Sequence, residues 1–364
     1  MLSLDDYVTI MKVAVVILGN RWICPYVNTY TRMLDETACD YDIILWDRDG
    51  SDANMQYAFS ARKSSLKNPI VKFCLYLSYA RFIKKCIVAN RYDRLIVSGP
   101  HLAILLSSFL RKRYKKRYIV DYRDVSIEQI PLLYGRFSKV LASSACNVIS
   151  SPDFRRNLPP CFKYLISHNF NVNDALRSLE MSPLAFDVMT PIRVLTIGAI
   201  RNYSSNVKVI TALGNNIDYS LSFAGSGEAV EKLMDYVAKN NIRNVSFSGF
   251  YEKETEAFIV RNATFVNILF PDDKKHSTIM SNRFYLALAH KKPVIVTRGS
   301  TQAAYVEKYK LGVVIGDSDN LDYELKAFLS GFDYDEFCKN CNRLLAEFVA
   351  EHSVLADAVR SFLS

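Results

Sequence analysis

Two short stretches of this chain carry residues that could do chemistry. The first is 281-SNRFYLALAHKKPVIV-296, where Asn282 and Arg283 open an apolar helical run and Pro293 punctuates it before a short strand. A helix start offers free backbone N–H groups and a partial positive charge. Arg283 and Asn282 add side-chain donors, so the chemistry expected there is the binding of an anion. The second is 121-DYRD-124, which follows the apolar run 118-YIV. Asp124 could act there as a general base, with Arg123 holding its charge or gripping an acceptor phosphate. The same residues read equally as a salt-bridged structural corner. His101, after 96-IVSGP, is another candidate at a strand end.

The elements that must position these residues come in two similar halves. One begins at 12-KVAVVILGN, continues through a helical stretch at 26-YVNTYTRMLDE and reaches 43-IILW; the other begins at 192-IRVLTIGAIRN, continues through 205-SNVKVITALGN and reaches 219-YSLSFAGSGE. Further strands are predicted at 94-RLIVSG, 118-YIVDYR and 147-NVISS, and at 245-VSFSGF, 264-TFVNILF, 293-PVIVT and 312-GVVIG. Short apolar strands alternating with amphipathic helices imply parallel sheets wrapped by helices. The expected architecture is α/β, with two doubly wound Rossmann-like domains facing one another across a cleft. The first spans 11–170 and the second 192–342. Between them 171–191 is polar and broken by prolines, a natural linker, and 343–364 is an amphipathic helix region. Ligands of such sheets sit beyond the carboxyl ends of the strands.

Composition narrows the partners. With 364 residues, half of them hydrophobic, the chain suits two globular domains, and a formal charge of +9 favours an anionic partner: nucleotide phosphates, an acidic membrane surface or nucleic acid. The run 111-RKRYKKR-117 puts six positive charges in seven residues directly after the apolar 102-LAILLSSFL. It reads either as attachment to anionic lipid, the apolar face settling among headgroups, or as a solvated helix end. No recognition motif accompanies it, so nucleic acid is not expected. Of eight cysteines only Cys338 and Cys341 form a CxxC, with no second pair to complete a zinc site, which fits free thiols in a reducing cytoplasm. The start of the sequence is acidic and lacks a basic-then-apolar leader, and every apolar run is shorter than a membrane span.

Four pieces occur in a telling order: 198-GAIR, 224-AGSGE, 245-VSFSGF and 282-NRFYLALAHKKPVIV. With the two-domain layout, they make the chain resemble the GT-B glycosyltransferases, most of all the bacterial group 1 family of capsule and lipopolysaccharide enzymes. The likeness covers most of the chain and is firm over 192–316. It implies a donor site in the second domain. Gly198 would let backbone approach the ligand, and Arg201 would grip a diphosphate bidentately or stand as a solvated loop charge. The family's lysine five residues after that arginine is replaced by Asn206, with Lys208 two further on. Gly225 and Gly227 would pass close to the nucleotide or make a plain tight turn, and backbone at Gly249 would flank the base. His276, Ser277 and Thr278 lie where the family's sugar-contacting loop lies, His276 being a donor contact or a surface residue, and Asp272-Asp273 reads as turn chemistry. Counted from Pro293, the family's two donor-site glutamates fall on Leu286 and Thr278, so both carboxylates are absent. His168 and Asn169 would line the cleft or cap the linker.

The function implied is a nucleotide-sugar-dependent, hexosyltransferase-type glycosyltransferase. It would act in surface polysaccharide synthesis on a glycan or polyprenyl-diphosphate-linked acceptor. Helix ends and basic side chains would hold the leaving diphosphate, so neither a metal nor a cofactor besides the donor sugar is expected. The alternative is a catalytically inactive GT-B chain that partners an active glycosyltransferase; a nucleotide-sugar epimerase shares the fold. The expected location is the cytoplasm, peripheral on the inner face of the membrane through Arg111–Arg117.

Overall fold

The computed structural model describes residues 10–61, 68–180, 190–273 and 276–364. The chain divides into two compact units, Met1–Asn169 with Glu351–Ser364, and Phe170–Ala350. Residues 1–9 and the second half of the expected linker, 181–189, lie outside the described residues.

Unit 1 is built on seven parallel strands: β1 (Met11–Val16), β2 (Cys39–Asp47), β3 (Tyr57–Ser60), β4 (Arg94–Ser98), β5 (Tyr118–Tyr122), β6 (Cys146–Ile149) and β7 (Leu165–Ile166). Their order is β3-β2-β1-β4-β5-β6-β7, so the winding reverses between β1 and β4. Val13 to Val16 and Leu95 to Val97 are fully buried, because a central parallel strand is covered on both faces and must be apolar throughout. The helices are α1 (Val27–Asp35), α2 (Pro69–Asn90), α3 (Pro100–Leu105), α4 (Ser107–Arg113) and α5 (Pro131–Ser143). At the start of α2 the Asn68 side chain accepts from the backbone N–H of Ile70 (2.9 Å) and Val71 (3.3 Å), a full N-cap.

The apolar run 102-LAILLSSFL does not offer a face to a membrane. Leu102, Ala103, Ile104, Leu106 and Leu110 are buried, because α3 and α4 are short and turn these side chains into the protein. The basic residues Arg111, Lys112 and Arg113 close the last turn of α4, where positive charge complements the helix dipole.

Unit 2 carries six parallel strands, β8 (Ile192–Ile197), β9 (Tyr219–Ala224), β10 (Val245–Gly249), β11 (Phe265–Ile268), β12 (Val294–Thr297) and β13 (Gly312–Ile315). Their order is β10-β9-β8-β11-β12-β13, reversing between β8 and β11. Its helices are α6 (Val172–Glu180), α7 (Tyr203–Leu213), α8 (Val230–Lys239), α9 (Glu256–Arg261), α10 (Asn282–Ala289), α11 (Thr301–Tyr309), α12 (Leu321–Ser330) and the first part of α13 (Tyr334–Leu363).

Two boundaries differ from those read in the sequence. The expected linker begins as α6, which packs on unit 2: Ala175 is buried there, and Ser178 donates to the carbonyl of Ala289 (2.6 Å) while accepting from Lys291 (2.8 Å). The C-terminal helix starts at Tyr334 rather than near 343. Its residues Leu355, Val359 and Phe362 join the core of unit 1 with Val13, Val15 and Ile96. His168 is buried and bonds through Nε2 to Glu351 on α13 at 2.5 Å.

Cys338 and Cys341 are buried on α13, and burial pushes both thiols up, which makes them inert packing residues. No helix among the described residues is long and apolar enough to cross a membrane.

Burial also sets a pH dependence. It lowers the pKa of His101, His168, His290 and His352, against opposing carboxylates at Glu128, Glu351, Glu256 and Glu36 respectively. Each imidazole therefore binds its proton more weakly in the folded chain than in the unfolded one. Their contribution to stability is complete above the unfolded value of about 6.5 and is lost as pH falls below it. The thermal midpoint should drop between about pH 7.5 and 5.5. A flat profile there, followed by differential scanning fluorimetry, would contradict this account.

Candidate functional site

In unit 2 the sheet's reversal lies between β8 and β11, and one side chain spans it. Arg283, in the first turn of α10, donates from Nε to the carbonyl of Ile197, from Nη2 to that of Ala199 (2.8 Å) and from Nη1 to that of Asn267 (3.4 Å). The helix places it there because Ser281, not Asn282, is the N-cap, its Oγ accepting from the Arg283 N–H (3.3 Å). Among the described residues Arg283 makes no ion pair. Burial pulls its pKa down to about 10, with Tyr251 opposing and Arg201 adding to the depression. A guanidinium held only by carbonyls, with a second guanidinium beside it, is a concentration of positive charge without a counterion.

That second group is Arg201, on the loop after β8. It is exposed and has no hydrogen bond or ion pair among the described residues. Gly198, at the end of β8, adopts φ +86°, and a Cβ there would have only the Tyr251 hydroxyl within reach, at 3.9 Å. Gly249 ends β10 and accepts from the Gly225 N–H (2.7 Å), and nothing stands within 4 Å of its own missing Cβ. These glycines leave open space at the strand ends.

Gly225 and Gly227 have another reason to be glycine. A Cβ on Gly225 would stand 2.1 Å from the carbonyl oxygen of Gly198, and one on Gly227 2.1 Å from that of Ile200. They let the loops after β8 and β9 pack backbone to backbone. Beneath them Asn267 donates to Thr196 Oγ1 (2.9 Å) and to Asn206 Oδ1 (3.4 Å), while Asn206 donates to the carbonyl of Asn202 (2.7 Å). The asparagine standing at the expected lysine position is thus a buried brace of the β8–α7 loop.

Of the remaining donor-side candidates, Lys208 and His276 are engaged by other partners, while Asn282 neighbours Arg283. Lys208 donates to the carbonyl of Gly316 (2.5 Å) and pairs with Asp317 (3.3 Å) on the loop after β13. His276 is tied to its own turn through Nδ1 to Asp273 (2.7 Å) and stacks on Phe270. Asp273 also accepts from the backbone N–H of His276 (2.8 Å), which closes that turn. Thr278 is buried, next to Ser277, whose carbonyl accepts from the backbone N–H of Thr301 (2.8 Å). Asn282 opens α10 and is exposed. Lys274 and Lys275 of this loop lie outside the described residues.

In unit 1 the corner after β5 separates its two candidates. Asp121 is fully buried, and Arg123 binds it from Nε (2.8 Å) while its two Nη groups reach the carbonyl (3.1 Å) and hydroxyl (2.8 Å) of Ser167. Arg123 also lies over the ring of Tyr26 (4.6 Å). Burial works against its charge, but Asp121 together with Tyr30 and Tyr26 outweighs it and the pKa is raised. This guanidinium is a structural brace between β5 and the segment after β7. Asp124, by contrast, is exposed.

His101, at the start of α3, hydrogen-bonds Ser126 Oγ (3.3 Å) and packs against Tyr76. Next to Ser126 lies a residue that the sequence did not single out. Glu128 is fully buried, and its Oε1 accepts from Tyr122 Oη (2.7 Å), Ser126 N (2.8 Å) and Gln129 Nε2 (3.1 Å). Its Oε2 has no partner among the described residues. No group of three or more His, Cys, Asp or Glu side chains with metal-binding spacing forms among the described residues.

No protein-family model and no curated protein matches the sequence. Solved structures do match. A sucrose-phosphate synthase from Thermosynechococcus elongatus superposes over 96% of this chain and 98% of its own, with a TM-score of 0.68 at 14% identity. HepE from Anabaena, solved in complex with UDP and glucose, covers 96% of this chain and 100% of its own, with a TM-score of 0.63 at 13% identity. A UDP-N-acetylglucosamine 2-epimerase from Rickettsia bellii covers 97% of both chains, with a TM-score of 0.63 at 11% identity. The fold is GT-B.

The fold is shared by a synthase, by a protein solved with UDP and glucose and by an epimerase, so fold alone does not give function and the residues must carry it. Three of them escaped sequence reading. Tyr251 donates to Glu256 Oε1 (3.1 Å), its pKa raised by burial and by Glu256, and it lies beside both Gly198 and Arg283. Phe250, just before it, is 77% exposed and stacks on it. Gln302 is fully buried, accepts from the Ser281 N–H (3.1 Å) at the cap of α10, and leaves its Nε2 without a partner among the described residues. A phenylalanine, a tyrosine and a glutamine match no motif; only the exposed aromatic pair directly after Gly249 gave a signal. Leu286 is half-buried against the core of unit 2.

Proposed function

We propose that this chain transfers a sugar from a nucleotide-diphosphate donor to a glycan or lipid-linked acceptor in surface polysaccharide synthesis. The observation that carries the reading is Arg283, a half-buried guanidinium at the β8/β11 reversal with no carboxylate partner among the described residues and with Arg201 beside it. A diphosphate is the ligand that would neutralise both, and the reversal point of a doubly wound sheet is where such ligands bind. Gly198 and Gly249 leave room for it. Phe250 is positioned to stack on the base and Asn282 to donate to a phosphate. Unit 1 handles the acceptor, with Asp124 as base and His101 and Glu128 close by. HepE, the relative solved with UDP and glucose, supports this donor class.

The test is a thermal-shift screen against UDP, GDP, CMP, dTDP and their sugars, because a ligand of the folded state raises the midpoint with occupancy. With the donor identified, Arg201→Ala should weaken its binding about tenfold, as for the loss of one charge-assisted contact. Asp124→Asn should leave binding intact and cut turnover about a hundredfold or more. Turnover undiminished in Asp124→Asn would remove Asp124 from the reaction.

Leu286 favours a second reading. A side chain that cannot accept hydrogen bonds from ribose, at the family's carboxylate position, fits a chain that has lost chemistry and partners an active transferase. Binding of a nucleotide sugar without turnover in the presence of acceptor would select it.

A further inference from the structure

The outward face of α2 takes no part in either candidate site. Ile70, Cys74, Leu77, Arg81, Lys85 and Val88 recur every three or four residues and so share one side of the helix. All are exposed except Leu77, which is half-buried. In the first turns Ile70 is 74% and Phe73 61% exposed, with Val71 beside them. This is an apolar tip of a kind that folded chains rarely leave in water. Farther along, the face turns basic, and past Val88 it enters a groove lined by Arg91, Phe109, Arg113, Tyr114 and Arg117. Within the groove Arg113 lies over Phe109 (5.9 Å) and Arg117 over Tyr114 (5.0 Å), leaving the charges outward.

Between Asp52 and Asp93 the sequence contains no acidic residue at all. A face that is apolar at one end, cationic along its length and free of acidic residues is complementary to anionic headgroups over hydrocarbon. We propose that α2 and the groove beside it form a membrane-docking surface for an anionic lipid bilayer. The apolar tip at Ile70, Val71 and Phe73 dips into the acyl boundary. Lys72, Arg81, Lys84 and Lys85 keep their ammonium and guanidinium groups among the phosphates, as long cationic side chains do at interfaces. Arg91, Arg113 and Arg117 add headgroup contacts at the far end. The docking surface is thus α2, not the apolar run of α3 and α4, whose side chains are buried. It stands independently of sugar transfer.

Sedimentation of the full chain with vesicles of phosphatidylcholine, with and without phosphatidylglycerol, tests it. Binding is expected only to the anionic vesicles and should weaken as salt rises. Ile70→Ser with Phe73→Ser should lower the partition coefficient about tenfold or more without lowering the melting temperature, both side chains being exposed. Lys84→Glu with Lys85→Glu should lower it comparably by removing the charge attraction. Three outcomes overturn the proposal. One is equal binding to neutral vesicles or none to either; another is unchanged binding by the Ile70/Phe73 variant. The third is a dimer in light scattering that this variant converts to monomer while vesicles bind nothing, which would make the face a contact between two copies.

Discussion

Arg283→Ala is expected to weaken nucleotide-diphosphate binding by at least about a hundredfold, read as Kd by titration calorimetry. Two charge-assisted bonds to phosphate oxygens contribute about 1.5–3 kcal/mol each, and every 1.4 kcal/mol is a factor of ten. The alanine also strands the carbonyls of Ile197 and Ala199, which Arg283 now satisfies, so some loss of stability accompanies it. Arg283→Lys separates the two effects. It restores charge without the planar fork, and should recover part of the affinity but not all of it. If Arg283→Ala stays folded and binds the nucleotide as the native chain does, the anion site lies elsewhere and the function proposed above loses its main support.

The second large effect is on folding. Asp121→Ala should cost about 3–5 kcal/mol, because it leaves the buried Arg123 without its counterion. Asp121→Asn keeps an acceptor for Arg123 Nε and should cost less. Replacing both partners by apolar residues, Asp121→Leu with Arg123→Met, should recover much of the loss, since a buried ion pair adds little over a well-packed apolar pair. Urea unfolding checks all three, the midpoint moving with an unchanged slope. Near-equal stability of Asp121→Ala and the native chain would mean that water reaches Arg123.

How far the sequence reveals the molecule depends on the kind of signal. Every strand of unit 2 could be read, because 192-IRVLTIG and its counterparts are continuous apolar runs closed by glycine or a polar turn. The short β3 and β7 could not. α2 also escaped, since its apolar residues are spread around the helix, with cations among them, and lack the separation of faces that marks a surface helix. The linker misled for the opposite reason: the polar residues of 171–180 belong to the solvent side of α6, while Ala175 and Ser178 face the protein. At the site, Arg283 and Arg201 were legible as cations at a helix start and a strand end. The ion pair of Arg123 with Asp121 was one of two readings of 121-DYRD, but its second partner, Ser167, could not be read, being far away in sequence. Glu128 could not be found either, because nothing in 127-IEQ tells a buried carboxylate from an exposed one.

The way α13 ends has a consequence for the growing chain. Leu355, Val359 and Phe362 fill the core of unit 1, yet they are made only after the whole of unit 2. Unit 2, by contrast, is one unbroken segment, Phe170–Ala350. At roughly 5–20 residues per second, unit 1 must wait about ten to forty seconds after its own strands have emerged before its last helical turns arrive. Assembly then runs against the order of synthesis, the later half closing first and the earlier half standing open, its sheet bare where α13 will lie. A premature stop within the second half of α13 would accordingly damage a unit whose strands were all translated before unit 2.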